Sequence, residues 1–161
     1  MSLDATVYCD CFERGRLRCA PPDGVSLQVC ADGSLSRVKD AGRLEDDLAF
    51  DEWRFTSACE HPDGVLLHHR LGNISLIALL RSELSREASR FPIILRKVIY
   101  DGVHGGDYMP IADISSLREE IARLASFRSR DRQSAEFIAQ FETQMRELVE
   151  AAAAVQKPIS F

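Results

Sequence analysis

The sequence predicts an α+β fold in which an N-terminal antiparallel sheet of about four strands packs against C-terminal helices. The first seventy residues alternate short segments rich in β-branched and aromatic residues with turn sequences. The later residues instead repeat apolar side chains at helical spacing. A chain of 161 residues is long enough for one hydrophobic core, so we expect a single domain spanning residues 1–161.

Turn sequences separate the four predicted strands. Pro21-Pro22-Asp23-Gly24 breaks the chain, and Asp32-Gly33 is typical of a short hairpin. His61-Pro62-Asp63-Gly64 makes a further turn before the last of these strands. The predicted strands are residues 3–9, 25–30, 35–39 and 65–69.

Helix signals dominate the second half of the chain. Asn73 is a predicted N-cap for a helix that starts at Ile74, and its first two turns are apolar almost all round, which predicts burial. Ser116-Leu117-Arg118-Glu119 matches a capping box and predicts the start of another helix. A long apolar stripe predicts a last helix over residues 131–156, and residues 93–100 also favour helix.

A short acidic helix is predicted between the hairpin and the last strand, because Leu44, Leu48 and Phe55 recur at helical spacing with Phe50 and Trp53 beside them. Its carboxylates are a candidate partner-binding surface, since acidic groups steer basic partners. The alternative is a solvated helix face with the tryptophan turned into the core. The candidate partner-binding residues are Asp46, Asp47, Asp51 and Glu52.

Charge and hydropathy exclude several classes of protein. The net charge of −5 disfavours the basic surface of a nucleic-acid-binding protein. The longest apolar run, residues 74–80, is far shorter than the roughly 20 residues that span a membrane, so no membrane partner is expected. The first residues lack the basic and apolar segments of a signal peptide, which predicts a cytoplasmic location.

The cysteines form the best candidate for chemistry. All five lie within the first 59 residues, and their odd number favours reduced thiols over a disulfide scaffold. Cys9-Asp10-Cys11 and Cys59-Glu60-His61 supply three sulfurs and one nitrogen, the Cys3His set of a structural zinc site, if the first strand meets the segment before the last strand. Their spacing departs from the usual two to four intervening residues. The alternative is that the cysteines are small hydrophobic residues packed in the sheet.

A glycine-rich loop offers a second chemical hypothesis. Within Asp101–Tyr108, His104 is a candidate catalytic base and Asp107 a candidate for orienting it. The loop contains no G-x-G-x-x-G pattern, P-loop or serine elbow. A surface loop that needs positive φ angles explains the glycines equally well.

Several stretches of the chain resemble a family of small bacterial cytosolic proteins, loosely similar to toxin-immunity proteins. They are Met1–Phe12, Ala58–His61 continuing into Gly64–Asn73, Tyr100–Tyr108 and the terminal Lys157–Phe161. The resemblance implies no activity and no site residue. It favours a non-catalytic binding protein, an immunity-type inhibitor whose protein partner is a toxin. The alternative is a zinc-binding protein or metal-dependent enzyme that uses the cysteine and histidine residues.

Overall fold

The structure, a computed structural model, describes residues 2–38, 44–101 and 106–161. Strands and helices alternate along the chain, and the helices form the larger part. The strands are β1 (Ser2–Tyr8), β2 (Leu27–Val29), β3 (Leu35–Arg37), β4 (Val65–Asn73), β5 (Tyr108–Met109) and β6 (Ile159–Ser160). The helices are α1 (Leu44–Thr56), α2 (Ile74–Leu84), α3 (Ile111–Leu124) and α4 (Arg132–Val155), with short 3₁₀ helices at Pro62–Gly64 and Ser85–Arg90 and a π-helix at Ile94–Val98.

The main sheet has four antiparallel strands in the order β4-β1-β6-β5. An antiparallel sheet packed by helices was predicted, and the fold class is confirmed. The membership of the sheet differs from the prediction, because β2 and β3 pair only with each other. The free edge of β1 is instead taken by β6, with Thr6 opposite Ser160 and Val7 opposite Ile159. Two strands too short to predict therefore complete the sheet.

The main core lies between this sheet and the helices. Leu3, Ala5 and Val7 alternate along β1 and are all buried, as expected for a strand with one face covered. Helices α3 and α4 pack against each other and contribute several of the largest fully buried side chains. These include Leu117, Phe141, Met145 and Leu148.

Residues 12–58 form an insertion between two neighbouring strands of the main sheet, β1 and β4. Its described parts hold the β2–β3 hairpin and α1. They have a separate small core, in which Phe50, Trp53 and Ala58 are buried. Leu17, Val25, Leu27 and Leu35 pack against these three residues and are partly buried.

The insertion contacts the end of the chain at the hairpin turn. Gly33 has a φ of 89°, and a Cβ there would lie 3.1 Å from the Pro158 ring. The buried Lys157 donates from Nζ to the carbonyl oxygen of Gly33 (3.2 Å) and forms an ion pair with Glu13. The segment that precedes β6 thus holds the insertion at one point.

Two helix starts test the predicted caps. Asn73 caps α2 by accepting a hydrogen bond from the Leu76 amide at 2.9 Å, which confirms the prediction. The predicted capping box at Ser116 is wrong, because α3 already begins at Ile111 with Pro110 before it. The first turns of α2 are also less buried than predicted, since Ile74 is 44% exposed. Among the described residues, no helix combines the length and apolar character needed to cross a membrane.

Candidate metal centre

Four potential metal ligands lie together at the base of the insertion. We call them the cysteine–histidine cluster: Cys9, Cys11, Cys59 and His61. The reason is topological: β1 and β4 are antiparallel neighbours, with Tyr8 opposite Val65, so the chain leaving β1 runs beside the chain approaching β4. A hydrogen bond from the Cys9 amide to the Gly64 carbonyl (2.8 Å) continues this pairing beyond the strands. The meeting of segments that the zinc hypothesis required is therefore present.

The distances within the cluster fit a tetrahedral zinc ion. One ligand atom from each residue lies within 4.8 Å of all the others. With Zn–S near 2.3 Å and Zn–N near 2.0–2.1 Å, a tetrahedron places two sulfurs about 3.8 Å apart and a sulfur and a nitrogen about 3.6 Å apart. The Cys9 and Cys59 sulfurs are 3.8 Å apart, and the Cys11 sulfur is 3.6 Å from His61 Nδ1. Two distances thus match a zinc tetrahedron, and the four residues together could hold a metal ion.

Backbone amides reinforce two of the sulfurs in the same way. The amide of His61 donates to the Cys59 sulfur at 3.4 Å. The amide of Cys11 donates to the Cys9 sulfur and lowers the pKa of that thiol, against the larger effect of burial. In both pairs the donor lies two residues after the acceptor. Hydrogen bonds of this kind favour a thiolate, the form of cysteine that binds metal.

A tight turn orients the histidine. His61 precedes the 3₁₀ turn Pro62–Gly64, and its carbonyl accepts from the Gly64 amide at 2.9 Å. The Glu60 carboxylate lies 4.0 Å from His61 Nε2, on the far side of the ring from the cysteines. A carboxylate near Nε2 favours the tautomer that keeps its proton there, which leaves the Nδ1 lone pair for a metal.

Burial makes the thiols of Cys9 and Cys11 difficult to ionise without a cation. Cys11 is 2% exposed and Cys59 is 8% exposed. Burial raises the pKa of Cys9 to about 12 and also raises the pKa of Cys11, although the charge of Arg16 acts in the opposite direction on Cys11. A metal ion must therefore displace protons from the thiols, so the affinity for metal falls as the pH is lowered.

The donor set leaves little room for catalysis. Four protein ligands fill a tetrahedral shell, whereas catalytic zinc sites keep one position for water or substrate. The cavity beside Cys9, Cys11 and Cys59 has a volume of about 30 Å³ and is lined mainly by apolar groups. That volume suits about one water molecule, far below the roughly 300 Å³ of a small ligand pocket. A metal ion held by these four residues would have the closed shell that is typical of a structural site.

The turn after Cys9 contains a charged group that the sequence analysis missed. Asp10 is 5% exposed, and its carboxylate forms ion pairs with Arg14 and Arg16. The Arg16 amide also donates to the Cys11 carbonyl at 2.7 Å, which fixes the turn after the second cysteine. The sequence signal for this buried carboxylate was two arginines placed four and six residues after an aspartate at the end of a strand.

Only Asp107 of the second chemical hypothesis belongs to the described residues. His104 lies outside the described residues, which omit 102–105. Asp107 is exposed and accepts a hydrogen bond from the Tyr100 hydroxyl. This bond to the carboxylate raises the pKa of Tyr100 to about 12. Asp107 therefore has a tyrosine partner that the sequence analysis did not anticipate.

The four acidic residues proposed to bind a partner all lie on α1, but they differ in their surroundings. Asp46 and Asp47 pair with Arg37 of β3 at 3.4 and 2.8 Å, and so attach α1 to the hairpin. Asp51 lies 3.8 Å from Arg54, whereas Glu52 is exposed and forms no ion pair among the described residues. Trp53 is buried, as the alternative interpretation expected.

Comparison with models of known protein families, with curated proteins and with solved structures found no match to the chain. The function is therefore argued from the geometry of the site and of its surroundings.

Proposed function

We propose that the protein binds zinc through Cys9, Cys11, Cys59 and His61, and that the metal has a structural role. The observation that carries this proposal is the grouping of three sulfurs and one nitrogen within 4.8 Å of one another, with one sulfur–sulfur and one sulfur–nitrogen distance equal to those of a zinc tetrahedron. The soft thiolate ligands and the closed shell favour zinc over magnesium or calcium, which prefer oxygen ligands.

The proposed metal joins the two ends of the insertion. Cys9 and Cys11 precede residues 12–58, and Cys59 and His61 follow them, so one ion closes a loop of about fifty residues. Closing a long loop removes conformational entropy from the unfolded chain, and the free energy of metal binding becomes free energy of folding. The insertion core is small, so burial of apolar surface stabilises it little. Metal binding would therefore stabilise the part of the molecule that has the smaller core.

The test is the metal content of the untagged protein, purified without chelator and measured by plasma mass spectrometry. We expect about one zinc per chain, as a single four-ligand site requires. Cys11→Ser should lose this zinc and lower the melting temperature of the insertion, followed by the fluorescence of Trp53, the one tryptophan of the chain, by roughly 10 °C. The reason is that about 2–3 kcal/mol are lost, and each shifts Tm by about 4 °C or more in so small a unit.

Cys19→Ser is the matched control, because Cys19 is exposed and lies outside the cluster. It should keep both the zinc and the melting temperature. Equal melting curves for Cys11→Ser and Cys19→Ser, together with no bound metal in either, would refute the proposal. Loss of zinc with an unchanged melting temperature would refute only the structural role.

A second proposal is that the protein is a non-catalytic binding protein, such as an immunity-type inhibitor that covers the active site of a toxin. An inhibitor of this kind needs only an interface of standard size and no catalytic group. The specific support is the exposed surface of α1, where Glu52 and Asp51 face solvent beside large apolar side chains. The experiment that tests this role concerns that surface and closes the next subsection.

A further inference from the structure

Helix α1 has two apolar faces, and the described residues cover only one of them. Phe50 and Trp53 point into the insertion core and are each 6% exposed. Leu44, Leu48 and Phe55 are 74%, 61% and 63% exposed. At about 100° per residue these three side chains lie within roughly 40° of one another and opposite the buried pair. We call Leu44, Leu48 and Phe55 the apolar stripe.

Acidic side chains border the apolar stripe on both sides. Helix α1 contains five carboxylates, Glu45, Asp46, Asp47, Asp51 and Glu52, and one cation, Arg54. Glu45 and Glu52 flank one side of the stripe, and Asp47 and Asp51 flank the other. Arg54 contacts the Phe50 ring, pairs with Asp63 at 2.7 Å and lies 3.8 Å from Asp51, while Arg37 pairs with Asp47. Among the described residues, Glu45 and Glu52 form no ion pair, so this border carries the uncompensated charge.

We propose that the apolar stripe of α1 binds a basic amphipathic helix of another protein. Apolar side chains of such a helix would cover Leu48 and Phe55, and its lysines or arginines would meet the bordering carboxylates. This inference rests on the binding role proposed above and uses no residue of the cysteine–histidine cluster.

Charge complementarity selects this occupant over two others. A second copy of the chain would bring two sets of acidic borders together, and like charges across an interface are unfavourable. A membrane surface that carries anionic lipids would repel the same carboxylates. A cationic partner gains from both the apolar stripe and its borders.

The test uses a fluorescent synthetic peptide of about 18 residues with leucines on one helical face and lysines on the other. Its binding to the zinc-loaded full chain is followed by fluorescence anisotropy, beside a peptide of the same composition in a shuffled order. We expect the amphipathic peptide to bind and Leu48→Gln or Phe55→Gln to raise its Kd at least about tenfold. Glu52→Lys should raise the Kd further at low salt than at high salt.

Two matched controls separate the stripe from general attraction between opposite charges. Ile111→Gln changes an apolar side chain on α3 that is 39% exposed, and Glu119→Lys reverses an exposed charge on the same helix. Both should change the Kd by less than about twofold. Circular dichroism and zinc content of every variant verify that the fold and the metal site are retained.

Three results would overturn the inference. The first is binding of the shuffled peptide with the same affinity as the amphipathic peptide. The second is a Kd that neither Leu48→Gln nor Phe55→Gln changes; a binding role would then belong to another surface of the protein. The third is evidence that the apolar stripe binds a second copy of the chain or a membrane. Sedimentation would then show dimers, or the protein would bind vesicles of phosphatidylcholine and phosphatidylserine, and Leu48→Gln would abolish the dimers or the vesicle binding. Zinc content measured in the same samples keeps failure of the metal proposal separate.

Discussion

The main core and the insertion core are built from the same kinds of side chains but differ in how much they bury. In the main core, strands β1, β4, β5 and β6 and helices α2, α3 and α4 enclose a continuous set of buried residues. In the insertion, Phe50, Trp53 and Ala58 are the buried members among the described residues, and the surrounding leucines and valine are only partly buried. The two cores meet at the cysteine–histidine cluster.

This difference indicates that the two regions are stabilised by different forces. Stabilisation by burial grows with the apolar area removed from water, at about 25 cal/mol per Å². Small units with little buried area usually need a metal or a disulfide. The insertion has little buried area, and it has four metal-binding side chains at its base. We therefore expect substitutions in the main core to act on the whole molecule and loss of metal to act on the insertion.

The largest effect is expected from Phe141→Ala in the main core. Phe141 is 1% exposed, and a cavity at such a position costs about 3–5 kcal/mol. Urea denaturation should show this loss in the free energy of unfolding of the whole domain, with zinc still bound to the folded fraction. Trp53→Ala in the insertion core is the comparison, and its effect should be confined to amides of the insertion. A global loss from Trp53→Ala equal to that from Phe141→Ala would show that the two cores are one cooperative unit.

The next effect is the response to removal of metal, followed by hydrogen exchange and mass spectrometry. With a chelator, amides in β2, β3 and α1 should exchange about 100-fold faster, which corresponds to roughly 2.7 kcal/mol of lost protection. Amides in α3 and α4 should change little, because their protection comes from the main core. Readdition of zinc should restore the slow exchange. Acceleration of equal size in α4 would contradict the proposed division, and no acceleration at all would contradict a structural metal.

The main elements of the fold were predictable because their signals are local. Three features depend only on neighbours in sequence. They are the burial of every second residue in β1 (Leu3, Ala5 and Val7), the Asn73 cap and the apolar face of α4. The membership of the sheet was not predictable in this way. Strands β5 and β6 have two residues each, so no periodicity marks them, and β6 reaches the edge of β1 only because α4 returns the chain there. The capping box at Ser116 failed because α3 starts earlier, at Ile111.

The membership of the cysteine–histidine cluster was predictable, but its geometry was not. Residue type and a spacing of two selected Cys9, Cys11, Cys59 and His61, and antiparallel pairing of β1 with β4 brought them together. No local pattern encodes the 3.6 Å approach of His61 to Cys11, since it depends on the turn at Pro62–Gly64. The exposure of the apolar stripe on α1 was also not predictable from the sequence. Both apolar faces of that helix have helical spacing, so the spacing does not tell which face is buried.

The smallest effect is expected where the insertion contacts the C-terminal segment through Lys157. This ammonium group is 5% exposed, donates to the Gly33 carbonyl and pairs with Glu13. Lys157→Met keeps the apolar stem but leaves the buried carbonyl without its donor, which costs about 1–2 kcal/mol. Hydrogen exchange in β2 and β3 should therefore accelerate roughly 5- to 30-fold, less than on loss of metal.

Lys97→Met is the matched control for this prediction, because Lys97 is about half exposed and pairs with Asp113 at 2.6 Å on the main core. An exposed ion pair contributes about 0–1 kcal/mol, so this variant should leave exchange in the insertion unchanged. If Lys157→Met had no effect while the chelator accelerated exchange, the metal alone would hold the insertion. If Lys157→Met and the chelator together accelerated exchange by less than the product of their separate effects, the two attachments would support each other, as expected when both restrain one small core.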